Sequence, residues 1–194
     1  MKKVIAITGG IGSGKTTVSN ILRDNGFTVL SADAVYNNLI KNKDFSREIY
    51  NVLGIPFDEQ KGFDKKEISA VVFNNKQLLS KLDEFTHPKI MQNLFENSKK
   101  YDGIVFHEVP LLFEEGYEGR YDGVIVVIRN LSDRINSVVK RDGLTKEQVV
   151  QRIKNQYNYE NIDKFKHTVI ENDGVKENLE RKVMAVISEI SKNI

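Results

Sequence analysis

Residues Gly9 to Thr16 read Gly-Gly-Ile-Gly-Ser-Gly-Lys-Thr, the pattern Gly-x4-Gly-Lys-Thr. Chemistry is legible in these residue types and this spacing. Glycines allow backbone torsions that let successive N–H groups face one concavity, which suits an anion. A lysine directly after the last glycine can reach the β- and γ-phosphates of a nucleotide, and the following hydroxyl can ligate Mg²⁺. The expected nucleotide contacts are therefore Gly10, Ile11, Gly12, Ser13, Gly14, Lys15, Thr16 and Thr17, with Lys15 doubling as a catalytic cation. Three further side chains could do chemistry. Asp33 can take a hydroxyl proton, Glu108 can hold Mg²⁺ through water, and Arg141 can neutralise charge on a transferring phosphoryl group.

Each of these residues needs an element to position it. A phosphate loop must leave a strand and open a helix, so that the helix N-terminus adds its partial positive charge. Lys2–Thr8 reads as a short buried strand, and Val18, Ile21 and Leu22 mark one face of a helix ending near Asn25-Gly26. Phe27–Leu30 predicts a second strand, which puts Asp33 at the carboxyl edge of a sheet, where α/β folds bind ligands. The alternative for Asp33 is an N-cap. Strands are also predicted at Gly103–Val109, ending at Glu108, at Gly123–Ile128 and at His167–Asn172. Helices are predicted from Leu131, Ile135, Val138 and Val139, and again from Val175 to Ile190. A polar, largely helical region runs from about Asp33 to Lys100, with a loop at Gly54–Gly62. Residues 140–166 are charged and weakly patterned. Strands alternating with helices predict an α/β fold with a five-stranded parallel sheet.

The totals exclude several classes. The chain has 194 residues, 40% hydrophobic and 29% charged, with a net charge of +2. No apolar run approaches a membrane span, and the four-residue apolar run after Lys2-Lys3 is too short for a signal peptide. Cysteine is absent, which removes disulfides and thiolate chemistry. The balanced charge gives no argument for nucleic acid. A cytoplasmic protein with no membrane or nucleic-acid partner is expected, and a monomer is favoured. No Asn-Lys-x-Asp guanine motif and no transporter-ATPase signature occurs. The layout suits a small-molecule kinase.

Seven segments, in order and at matching spacing, resemble the dephospho-CoA kinase family: Thr8–Thr17, Ser31–Asp33, His87-Pro88, Val109–Glu114, Arg141–Thr145, Arg152–Gln156 and Val169–Gly174. The resemblance implies a nucleoside-kinase-like fold. It gives a nucleotide core at 1–33, 101–140 and 166–194, a helical acceptor-binding insertion at 34–100, and a lid at 141–165. It implies ATP-dependent phosphorylation of the 3′-hydroxyl of dephospho-CoA, the last step of coenzyme A synthesis, with Mg²⁺. It places Thr8, Asp33, His87, Pro110 and Leu111 at the acceptor, with Leu112 and Phe113 as further walls, and Asn172 and Gly174 at the adenine. His87, beside proline, is read as capping a turn. Lys140, Arg134 and Arg152 are further lid cations, and Tyr157 and Tyr159 either stack on adenine or cover a hinge. His107 and His167 stand with no carboxylates at metal-ligand spacing, so no zinc site is expected. The chain departs from the family pattern at Ser31, where aspartate is frequent, and at Lys65, where arginine is usual. It departs again at Ile162, with lysine displaced to Lys164, and at Lys166-His167, where an Ala-Asp pair is expected. Two rivals remain: a kinase for a nucleotide or sugar, and a nucleotide switch with no small-molecule acceptor.

Overall fold

A computed structural model describes residues 2–73 and 75–192. The chain divides into two compact units, one formed by residues 1–30 and 101–194, the other by residues 31–100.

The first unit is built on a five-stranded parallel sheet. Its strands are β1 (Lys3–Thr8), β2 (Thr28–Ser31), β3 (Ile104–Glu108), β4 (Gly123–Ile128) and β5 (Thr168–Glu171), in the order β2-β3-β1-β4-β5. β1 pairs in parallel with β3, bringing Ile7 opposite Glu108, and with β4, bringing Thr8 opposite Val126. Consecutive residues Ile5, Ala6, Ile7 and Thr8 are all buried, as are Val124 to Val127. Burial without alternation is what a strand covered on both faces requires, and it explains why these segments read as continuous apolar runs.

The helices that cover the sheet follow from their periodicity. In α1 (Lys15–Asp24), Val18, Ile21 and Leu22 are buried at i, i+3 and i+4. They meet Ile5, Ile7 and Phe106 from the sheet and Leu179, Val183 and Ile187 from α8 (Lys176–Lys192) in one core. Fully burying each such aliphatic side chain contributes about 1.5–3 kcal/mol. Two more helices follow β4: α6 (Leu131–Asp142), capped by Asn130, and α7 (Lys146–Lys154). The α7 stretch lies inside the weakly patterned segment. A capping box starts it: Thr145 accepts from the Gln148 N–H, and the Gln148 side chain accepts from the Thr145 N–H at 2.9 Å.

The second unit is helical: α2 (Ala32–Leu39), α3 (Lys43–Leu53), α4 (Lys65–Phe73) and α5 (Lys76–Ser98). Its own core gathers Phe45, Ile49, Tyr50, Leu53, Ile68 and Leu82. Buried Tyr50 fixes the loop before α4: its hydroxyl donates to Glu67 Oε2 at 2.8 Å and accepts from the Asp64 N–H at 3.1 Å. Among the described residues, no helix is long and apolar enough to cross a membrane.

Candidate active site

The turn from β1 into α1 has the geometry its glycines predict. Gly14 caps α1 in the left-handed region, at φ 98°. A Cβ there would stand 2.3 Å from the Asn172 side-chain nitrogen. Gly12, at φ 75°, lies so close to α6 that a Cβ would stand 2.6 Å from the Arg134 carbonyl oxygen. Only glycine satisfies both the torsion and the space at these two positions.

Side chains from three other segments brace this loop. Asn172, just after β5 and buried, donates from Nδ2 to the Ser13 carbonyl at 2.9 Å, and its Oδ1 accepts from the Gly174 N–H at 3.0 Å. Asn172 thus lies beside the loop, with Gly174 bonded to it in turn. Ile11, at the loop's tip, is held from both sides. Its N–H donates to Gln156 Oε1 at 2.8 Å, and its carbonyl accepts from Arg134 Nε at 3.0 Å. Arg134, named above as a possible lid cation, is buried against the phosphate loop. Thr8 is fully buried, and its hydroxyl shares a 3.3 Å hydrogen bond with the Tyr159 phenol, whose pKa is pushed up to about 12, chiefly by burial. Lys15 Nζ donates to the carbonyls of Gly9 and, at 3.1 Å, of Gly10. A cavity of about 350 Å³ opens beside the loop, lined in part by Gly10, Ser13, Asn130, Arg134 and Lys164. The Ser13 hydroxyl is buried, with no hydrogen-bond partner among the described residues.

Thr16 Oγ1 donates to Glu108 Oε1 at 2.7 Å. The strand register explains this meeting. Glu108 sits opposite Ile7 at the end of β3, so its carboxylate reaches the first turn of α1. A hydroxyl and a carboxylate side by side form an all-oxygen donor set, which suits Mg²⁺. Among the described residues, no group of three or more His, Asp or Glu side chains could hold a metal ion.

The segment after β3 contains Pro110 and Leu111. Leu111 is exposed and Leu112 fully buried, so Leu112 anchors this loop and Leu111 is presented by it. Phe113 packs at 4.8 Å from Tyr157, 6.0 Å from Tyr159 and 5.1 Å from His167. Glu114 Oε1 accepts from the Tyr157 N–H at 2.9 Å. The two tyrosines therefore cover Phe113 and the loop after β3. Arg141 lies at the exposed end of α6 and pairs with its neighbour Asp142, Nε to Oδ1 at 2.6 Å.

In the helical unit, Ser31 caps α2, its hydroxyl accepting from the Ala34 N–H at 3.4 Å. Asp33 is not the cap; it lies in the first turn, where the helix dipole favours its charge. The turn expected at His87-Pro88 does not form. Both residues lie inside α5. Pro88 lacks the N–H that would bond the Glu84 carbonyl, yet the helix runs on because Leu82, Ile90, Met91 and Leu94 are buried on both sides of it. His87 Nε2 stands 3.5 Å from Asp83 Oδ1, one turn earlier.

Sequence reasoning missed Gln156 and Glu114 as bracing side chains. Gln156 lies in the quoted segment Arg152–Gln156, but spacing along the chain does not announce a partner 145 residues away.

A parallel sheet in this order, with a glycine loop feeding α1 and a hydroxyl–carboxylate pair at its mouth, defines a phosphate-loop nucleotide-binding protein. The chain belongs to the dephospho-CoA kinase family, whose model matches residues 3–178. It is 36% identical over 182 residues to the dephospho-CoA kinase of Fusobacterium nucleatum, covering 93% of this chain and 94% of that one. A solved Thermus thermophilus protein superposes with a TM-score of 0.83 at 35% identity, over 97% of each chain. The dephospho-CoA kinase of Campylobacter jejuni superposes with a TM-score of 0.65 at 28% identity, over 98% of each chain.

Proposed function

We infer that this protein transfers the γ-phosphoryl group of ATP to the ribose 3′-hydroxyl of dephospho-CoA, giving coenzyme A and ADP. Family membership over nearly the whole chain is the observation that carries this reading. The site supplies the chemistry. The loop from Gly10 to Thr17 wraps the phosphates with N–H groups at a helix N-terminus. Lys15 exchanges the carbonyls of Gly9 and Gly10 for β- and γ-phosphate oxygens. The adjoining cavity gives room for the nucleoside, next to Asn172 and Gly174.

Asp33 accepts the 3′-hydroxyl proton as that oxygen bonds to the γ-phosphorus. The bond from phosphorus to the β–γ bridging oxygen breaks, and ADP leaves. Lys15 neutralises the charge spreading over the transferring oxygens, joined by Arg141 when it leaves Asp142. Thr16 and Glu108 suit a Mg²⁺ ion, which when bound draws charge from the phosphates. Thr8, His87, Pro110 and Leu111 are assigned to the acceptor, and residues 141–165 to a lid that excludes water.

The test is ADP release by purified protein with Mg²⁺-ATP and a panel of dephospho-CoA, AMP, gluconate, shikimate or water. Strong release with dephospho-CoA alone, with coenzyme A identified by mass, is the expected result. Release no faster than with water overturns the reading.

A further inference from the structure

Residues 156–159, between α7 and β5, touch two loops at once. Toward the phosphate loop, Gln156 Oε1 accepts from the Ile11 N–H at 2.8 Å, and the Tyr159 hydroxyl shares its 3.3 Å hydrogen bond with Thr8 at the end of β1. Toward the loop after β3, the Tyr157 N–H donates to Glu114 Oε1 at 2.9 Å. The rings of Tyr157 and Tyr159 stand 4.8 and 6.0 Å from Phe113, and they meet each other edge-on at 5.4 Å. His167 also packs on Phe113, at 5.1 Å. Three rings in mutual contact do not shift independently, and a chain of packed side chains carries a displacement from one end to the other. A movement of Phe113 is therefore felt at Tyr159, and through its hydroxyl at Thr8.

The segment is anchored unevenly. Tyr159 is 5% exposed and Tyr157 is 40% exposed. Burial holds the end at Thr8, while the end at Phe113 is held by ring contact and one hydrogen bond at the surface. Ordering such an element costs conformational entropy, and the ligand that settles it first spares the second ligand that cost. A nucleotide in the phosphate loop acts on the segment through Ile11 and Thr8. An acceptor against Pro110 and Leu111 acts on it through Phe113, two residues further along the same loop. Two sites that bias one element are coupled, and the coupling is reciprocal.

We propose that residues 156–159 couple the two substrate sites, with Tyr157 as the positioning residue through which bound nucleotide tightens the hold on the acceptor. The proposal rests on the kinase reading above, and the experiment separates the two. Dephospho-CoA is titrated calorimetrically into the full chain, with and without a saturating, non-hydrolysable ATP analogue and Mg²⁺. For the wild type, the analogue should lower the Kd for dephospho-CoA by about fivefold or more, and dephospho-CoA should lower the Kd for the analogue by the same factor. Tyr157→Ala should bring that factor close to one and leave the Kd for each ligand alone unchanged. Tyr157→Phe keeps the ring and should restore the factor. A merely structural role for Tyr157 would weaken each ligand alone and leave the factor as it was. That result, a wild-type factor of one, or a wild-type factor kept by Tyr157→Ala overturns the proposal. If the wild type releases ADP with dephospho-CoA but shows a factor of one, the coupling falls and the kinase reading stands. If it shows the coupling but releases no ADP, the kinase reading falls and the coupling stands. If dephospho-CoA does not bind, both fall.

Discussion

The Thr16 hydroxyl donates to the Glu108 carboxylate over 2.7 Å, tying the first turn of α1 to the end of β3. Glu108 is nearly buried, so the pair already holds a carboxylate at the mouth of the phosphate loop. Glu108→Gln keeps an oxygen for Thr16 but removes the charge. The Mg²⁺ concentration for half-maximal ADP release should rise about tenfold, the effect of losing ~1.4 kcal/mol of charge-assisted contact. A magnesium titration at fixed ATP checks it, and an unshifted curve removes Glu108 from the metal site.

Asp33 lies in the first turn of a helix capped by Ser31, so its carboxylate is not needed to start that helix. Asp33→Asn should leave the melting temperature and the KM for ATP nearly unchanged while kcat falls by about 10²–10⁴, the usual range for a lost general base. Near-normal turnover removes the proton-accepting role.

Gln156 and Arg134 hold the two peptide groups that flank Ile11, one through its N–H and the other through its carbonyl. Gln156→Ala leaves the Ile11 N–H without its acceptor, at a cost of about 1–3 kcal/mol, and frees the segment before β5 from the loop. The KM for ATP should rise at least several-fold. Gln156→Glu restores an acceptor oxygen and should recover part of the loss. Steady-state kinetics of the two variants, side by side, distinguish a broken grip from a lost amide.

His107 is fully buried on β3, with Nδ1 3.2 Å from the Tyr121 hydroxyl. Burial, with a smaller effect from Lys2, lowers its pKa from 6.5 to about 4. Between those values the unfolded chain binds a proton that the folded chain refuses. His107 therefore contributes its full stability above pH 6.5, and that contribution is lost as pH falls toward 4. The loss amounts to about 3 kcal/mol. Urea unfolding at pH 7.5, 6 and 5 should show this decline, and a His107→Gln variant should show a shallower one. Equal slopes in the two proteins overturn it.

The phosphate loop was legible because its demands are local: glycine torsions, an adjacent strand and an adjacent helix. The central strands β1, β3 and β4 were legible because burial on both faces leaves continuous apolar runs such as Val124–Val127. The Thr16–Glu108 contact depends on the register of β1 against β3, and no pattern within either strand states that register. His87-Pro88 misled for the opposite reason. Proline is a strong local signal for a break, but buried side chains on both sides of it hold α5 together. The helix at Lys146–Lys154 was hidden by its charged surface, although its Thr-x-x-Gln start was available to be read.

The placing of residues 31–100 within the chain sets an order of events during synthesis. β1 is made first, yet its two neighbours in the sheet are β3 and β4, which begin only at Ile104 and Gly123. The helical unit, with its own core, is complete before either neighbour leaves the ribosome. The earliest strand, with the glycine loop at its end, thus waits about 100 residues for its first sheet neighbours in β1's own row, and such long-range pairing is slow. The nascent protein has a finished helical body before it has anywhere firm to hold a nucleotide.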